Sequence, residues 1–147
     1  MTGKNIRKLV LAALLAALTA VATMIIRIPT PTQGYIHLGD GMVLICGILL
    51  GPGLGALAAG IGSMMADLIG GYMAWVPGTF AIKALTALLG GWLYHRMAGK
   101  GMNTITRVVL CGIPAEIIMV LGYFVYEVGM EAVSYTHLRA HETSQDL

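Results

Sequence analysis

Apolar runs of roughly 17 to 22 residues recur along this chain, the length an α-helix needs to cross about 30 Å of hydrocarbon at 1.5 Å per residue. Lipid offers no hydrogen bonds, so each run must satisfy its own backbone N–H and C=O groups, and a helix does that within the segment. Of the 147 residues, 57% are hydrophobic and 11% charged, which is more apolar surface than one small soluble core can bury. The sequence therefore predicts an all-α fold, a polytopic transmembrane helical bundle.

Spans are expected at about 6–26, 38–50, 54–71, 78–97 and 106–127. The second is short, and Gly51-Pro52-Gly53 after it carries no charge. Pro52 lacks an amide hydrogen and the glycines permit a tight reversal, so a hairpin is expected here rather than one long kinked helix.

The net charge of +2 does not describe a nucleic-acid surface, because the basic residues flank spans instead of forming a patch. Lys4, Arg7 and Lys8 precede the first span, and His95, Arg96, Lys100 and Arg107 surround the fourth connection. The positive-inside rule then places the N-terminus in the cytoplasm. The first run, followed by Ala20-Val21-Ala22, has some features of a secretory signal, but the later spans favour a retained first helix. Cys46 and Cys111 lie alone in apolar runs and read as packing residues, with neither a disulfide nor a metal site implied.

With that topology the polar residues gather toward the outer face. Asp40 opens the second span, Asp67 lies near the end of the third, Lys83 sits early in the fourth, and Tyr123 and Tyr126 end the fifth. The outer loops add Arg27, Thr30, Thr32, Gln33, Tyr35, His37, Tyr72 and Trp75. A charge at the bilayer centre costs about 2.5 to 3.5 kcal/mol on insertion scales, so each one needs a partner or a task. Gly60, Ser63 and Asp67 share one helix face, as do Thr79, Lys83 and Thr86. Asp67 and Lys83 are close enough in expected depth to form a structural ion pair or to contact a ligand together. Asp40 stands where it can cap its helix or bind a ligand. Trp75 and Tyr72 suit either interfacial anchoring or stacking on a flat heteroaromatic ring. Glu116 lies mid-span on the face of Tyr123 and Glu127, where it can meet a ligand, pair with Lys83 or carry a proton.

Two small-residue stripes mark the first span, Ala12, Ala16 and Ala20 on one line and Ala13 and Ala17 on the next. Such stripes let helices touch closely in membranes, within a chain or between chains. The chain has no phosphate-binding G-x-x-x-x-G-K-[ST] loop, no H-E-x-x-H and no G-x-S-x-G, so neither nucleotide hydrolysis by that route nor an enzyme active site is expected.

Together Gly39-Asp40, Gly51-Pro52, Gly60-Ile61-Gly62-Ser63 with Ala66-Asp67, and Pro77-Gly78-Thr79-Phe80 with Lys83 resemble the substrate-binding S components of energy-coupling factor (ECF) transporters, across about residues 5–127. That resemblance implies six helices, of which five are visible. It also implies a vitamin or vitamin-precursor ligand held near the outer surface of the bacterial cell membrane, with the first loop as a lid. That placement matches the polar residues gathered at the outer face, and the candidate ligand-binding residues are Asp40, Asp67, Tyr72, Trp75, Lys83, Glu116 and Tyr123. No cofactor is implied. The implied partners are a transmembrane T protein, met by Ala12, Ala16 and Ala20, and two cytoplasmic ATPases. A self-sufficient ion-coupled carrier, with Glu116, Asp67 and Lys83 as its relay, is the alternative. Residues 133–147 break the apolar pattern and resemble adapter-derived read-through, so the membrane domain is expected at 1–132, with the native sequence ending there and the sixth helix missing.

Overall fold

The computed structural model describes the backbone of residues 2–25, 27–29 and 35–145, and the side chains of 2–25 and 38–145. Five helices make up nearly all of it: α1 (Gly3–Ile25), α2 (Gly39–Leu50), α3 (Pro52–Gly70), α4 (Val76–Arg96) and α5 (Thr104–Gln145). Two three-residue strands, β1 (Arg27–Pro29) and β2 (Tyr35–His37), pair antiparallel between α1 and α2, with Ile28 opposite Ile36. A single 3₁₀ turn, Met73–Trp75, leads into α4. Four of the helices are long and apolar enough to cross a membrane, and α2 is a shorter apolar helix of 12 residues.

The reversal at Gly51 is a hairpin, as the sequence predicts. Gly51 has φ +86°, a left-handed value that favours glycine, and Pro52 opens α3 at a position where its missing N–H is harmless. The turn lays α2 beside α3, and α4 packs against both, while α1 lies along α2 and α3.

Small residues set how closely these helices approach. A Cβ placed on Gly47 of α2 would lie 2.2 Å from the Ala87 carbonyl oxygen of α4, and one on Gly91 would lie 2.3 Å from the Gly47 carbonyl oxygen. No side chain fits between the two backbones. On α3, a Cβ on Gly62 would lie 2.4 Å from the Ala16 carbonyl oxygen of α1. Ala12, Leu15, Val43, Cys46, Ala58, Ala59 and Ala87 form the core at these crossings. Cys46 and Cys111 are both buried free thiols.

At the basic end of the bundle Arg107 fastens α5 to α4. Its guanidinium lies 4.0 Å from the Tyr94 ring centre and donates to the Tyr94 carbonyl at 2.8 Å. From there α5 runs through Pro114 along α4, burying Cys111, Ala115 and Met119, one residue per turn. The helix continues well past 127, where the apolar pattern weakens, and residues 131–145 are all exposed. Ser134–Gln145 contains neither Pro nor Gly, so no residue there interrupts a helix already under way.

The Gly47 crossing yields a stability test. Gly47→Val should lower stability by about 1–3 kcal/mol or more through overpacking, whereas Gly41→Ala, on an exposed position with nothing within 4 Å of its added Cβ, should leave it equal or higher. Thermal unfolding in detergent separates the two, and equal midpoints would contradict the close α2–α4 approach.

Candidate functional site

Lys83 lies two turns into α4 and is 1% exposed, among the largest side chains fully enclosed by the bundle. An ammonium so deeply enclosed needs an anion and further acceptors. Its anion is Asp40 of α2, joined to it by a salt bridge. Sequence reasoning offers Asp67 or Glu116 for this role instead. The difference arises because α2 lies against α4, which brings Asp40 to the depth of Lys83. Asp40 is not the N-cap of α2 either: Leu38 occupies that position without a side-chain cap, and Asp40 sits inside the first helical turn, where a carboxylate also complements the helix dipole.

Asp67 of α3 is 2% exposed and accepts a hydrogen bond from Thr79 Oγ1 of α4 at 2.5 Å. Thr79 accepts in turn from the Tyr123 hydroxyl of α5 at 3.4 Å. Lys83, one turn further into α4, reaches Met119 Sδ of α5 at 3.1 Å, and its Nζ stands 5.3 Å from the centre of the Tyr123 ring. Four helices thus contribute to two linked layers: Asp67 of α3, Thr79 of α4 and Tyr123 of α5 above, then Asp40 of α2, Lys83 of α4 and Met119 of α5 below.

An aromatic group closes the top. The Trp75 ring lies 6.2 Å from Tyr123 and 5.5 Å from Tyr126, tilted to both, and the Tyr126 hydroxyl donates to the Ala74 carbonyl at 2.5 Å. Tyr72 is 38% exposed at the end of α3. Glu116 is half-buried on the α5 face that carries Met119 and Tyr123, and among the described residues it has no hydrogen bond or ion pair. Thr30, Thr32 and Gln33 lie outside the described residues, as do the side chains of Arg27, Tyr35 and His37.

Two contributors escape sequence reasoning: Met119 as an acceptor for Lys83, and Tyr126 as a wall behind Trp75. Their only signal is position, since Met119 is three residues after Glu116 and four before Tyr123 on one face. An apolar groove of 320 Å³ opens beside Tyr126, lined by Pro77, Gly78, Ala81, Ile82, Gly122 and Val125. It holds none of the polar layers.

Three threonine hydroxyls bond within their own helices, and Thr19 also meets Cys46 Sγ of α2 at 3.6 Å. Thr19, Thr23 and Thr86 donate to carbonyls four residues earlier, at 2.7, 2.7 and 2.8 Å. Ser63 Oγ is buried and unpaired among the described residues. Among the described residues Lys83 pairs with Asp40, and Glu116 makes no hydrogen bond or ion pair to Lys83 or Asp67, though it lies within electrostatic reach of Lys83 and Asp40. Among the described residues no three His, Cys, Asp or Glu side chains cluster as metal ligands.

The stripe of Ala12, Ala16 and Ala20 turns inward: Ala12 is 7% exposed in the core and Ala16 lies against Gly62. The neighbouring Ala13 and Ala17 are exposed, with Val10, Leu14 and Val21 around them.

The family profile described as ECF-type riboflavin transporter, S component, matches residues 3–145. The chain belongs to the S components of ECF-type transporters. As such it is a multi-pass membrane protein of a family of transport subunits rather than of enzymes. A protein of Pyrococcus woesei described only as an uncharacterized protein in a gap 3′ region is 40% identical over 104 residues, covering 70% of this chain and 66% of that protein.

The Lys83–Asp40 pair gives the S component a measurable signature. Asp40→Asn leaves an enclosed ammonium without its anion. Removing one partner of a fully buried pair costs about 3–5 kcal/mol, so about 2–3 is expected here, because the Asp40 side chain is 24% exposed. Asp40→Asn combined with Lys83→Met should recover most of that loss, as read from thermal unfolding. A single variant as stable as the wild type would show that water, not Asp40, compensates Lys83.

Proposed function

We propose that this S component binds riboflavin, with the isoalloxazine ring seated against Trp75 and Tyr123 at the outer end of the bundle. The observation that carries this reading is the aromatic pair standing directly beside two buried polar layers: flat faces for stacking, and Asp67, Thr79, Lys83 and Asp40 for fixing orientation. Tyr72 lies at the rim, where it can cover the ring, and Glu116 flanks the deep side. The description of the matching family supports riboflavin over other flat vitamins.

The same reading sets the assembly. Lys4, Arg7, Lys8, Arg96, Lys100 and Arg107 flank the end of the bundle away from the aromatic cluster, so the N-terminus is cytoplasmic and the site faces out. A transmembrane T protein and two cytoplasmic ATPases supply the work of uptake. For the T protein, helix α1 offers the stripe of Ala12, Ala16 and Ala20, of which Ala12 and Ala16 also pack within the chain, and beside it the exposed Ala13 and Ala17. Residues 133–147 are left out of this site, although the family profile extends to residue 145.

Flavin fluorescence tests the proposal directly. Titrating riboflavin with the purified chain in detergent should quench its emission at one ligand per chain. Trp75→Ala should weaken binding about tenfold, since an aromatic pair contributes about 0.5–1.5 kcal/mol beyond its area and about 1.4 kcal/mol is a factor of ten. A helical, folded wild type that leaves riboflavin emission unchanged would rule the ligand out.

A further inference from the structure

A lysine ammonium carries three donors and accepts nothing. In this bundle the partners of Lys83 among the described residues are the Asp40 carboxylate, the Met119 sulfur and the face of the Tyr123 ring. Only the first is a strong acceptor, because a thioether accepts weakly. The oxygens of the layer above are engaged with each other, Asp67 accepting from Thr79 and Thr79 from Tyr123, and neither accepts from Lys83 among the described residues. Lys83 is therefore well satisfied on its α2 side and poorly satisfied on its α5 side, directly under the aromatic wall.

Met119 suits the place it fills. Its unbranched side chain has three rotatable bonds and repacks readily, and α5, which carries it, packs mainly on α4. The sulfur can leave Lys83 without disturbing the crossings of α1, α2 and α3.

We infer that Lys83 is the specificity-determining donor of the site, held ready by Asp40, and that a neutral acceptor on the ligand ring displaces the Met119 sulfur from it. This rests on the riboflavin reading, and it names the chemistry recognised: a ring carbonyl oxygen or unprotonated ring nitrogen, as on the pyrimidine edge of a flavin. Charge fixes the acceptor as neutral. Among the described residues Asp40 balances Lys83 and Asp67 adds a second carboxylate one turn away, so a ligand carboxylate or phosphate at this point would bring a third anion to one cation. A cationic heteroaromatic ring would set a second positive charge beside Lys83.

Three forms of the full chain test this with riboflavin itself: wild type, Met119→Leu, and the double variant Asp40→Asn with Lys83→Met, which removes the pair without leaving a lone buried charge. Fluorescence titration gives affinity, and the reduction potential of the bound flavin gives a readout that packing alone does not move. An ammonium donating to the pyrimidine edge stabilises the electron-rich reduced ring. The double variant should bind at least tenfold more weakly, and the potential of its bound flavin should fall below that in the wild type. Met119→Leu should keep the potential and tighten binding about threefold, because the competing sulfur is gone. A folded double variant with wild-type affinity and potential overturns the inference while leaving riboflavin as the ligand. Met119→Leu binding no tighter than wild type overturns the displacement of the sulfur. Failure of the wild type to bind riboflavin removes the earlier reading, and this one with it.

Discussion

The backbone contact between α2 and α4 at Gly47, Ala87 and Gly91 is the constraint from which the rest of this bundle follows. In lipid there is no hydrophobic drive to bring apolar helices together, so close packing and interhelical hydrogen bonds must do it. The Ala87 carbonyl lies where a side chain on Gly47 would stand, and the Gly47 carbonyl where one on Gly91 would, so the two helices lie as near as backbones allow. That proximity carries Asp40 to Lys83. Had Gly47 been a leucine, the helices would separate and the ammonium would be enclosed without its carboxylate. Close packing and charge pairing are therefore one arrangement seen at two depths.

Above that crossing the polar groups are layered so that each enclosed charge has a defined neighbour. Asp67 is matched to Thr79 and Lys83 to Asp40, and Tyr123 spans both layers through its hydroxyl and its ring. A membrane bundle tolerates such groups only where protein surrounds them. Their confinement to one end leaves the Ala-, Leu- and Val-rich remainder free to contact lipid. The exposed apolar side chains along α1 and α5 are ordinary in that setting, since lipid tails are their solvent.

Much of this was legible in the residues. Span lengths, the Gly51-Pro52 reversal, the short second helix and the one-sided distribution of polar groups follow from apolar run length and turn chemistry, which are local. What was not legible is lateral: which helix lies beside which. Periodicity puts Lys83 on a face but does not say that α2, not α3, supplies its carboxylate. It likewise finds two adjacent alanine stripes on α1 without saying which turns inward. Met119 gave no signal because a methionine in an apolar run reads as filler until its neighbour is known. The extension of α5 was missed for another reason. Composition changes after about 127, but a helix stops only where a residue breaks it or a cap replaces its bonds, and Ser134–Gln145 offers no breaker.

The way α5 is attached then matters for how the site works. The α1 to α4 core is tied by several mutual crossings, whereas α5 packs mainly on α4. Yet α5 contributes Met119, Tyr123 and Tyr126, the sulfur beneath the aromatic wall and two of its three rings. The groups that fix charge, Asp40, Asp67 and Lys83, sit on the firmly held helices, and the groups that must adapt to a ligand sit on the one with fewest ties. A ring placed between them would contact both sets and tie α5 to the core beyond the bonds of Met119 and Tyr123. Rigidity is thus concentrated where charge must stay paired, and compliance where shape must be matched.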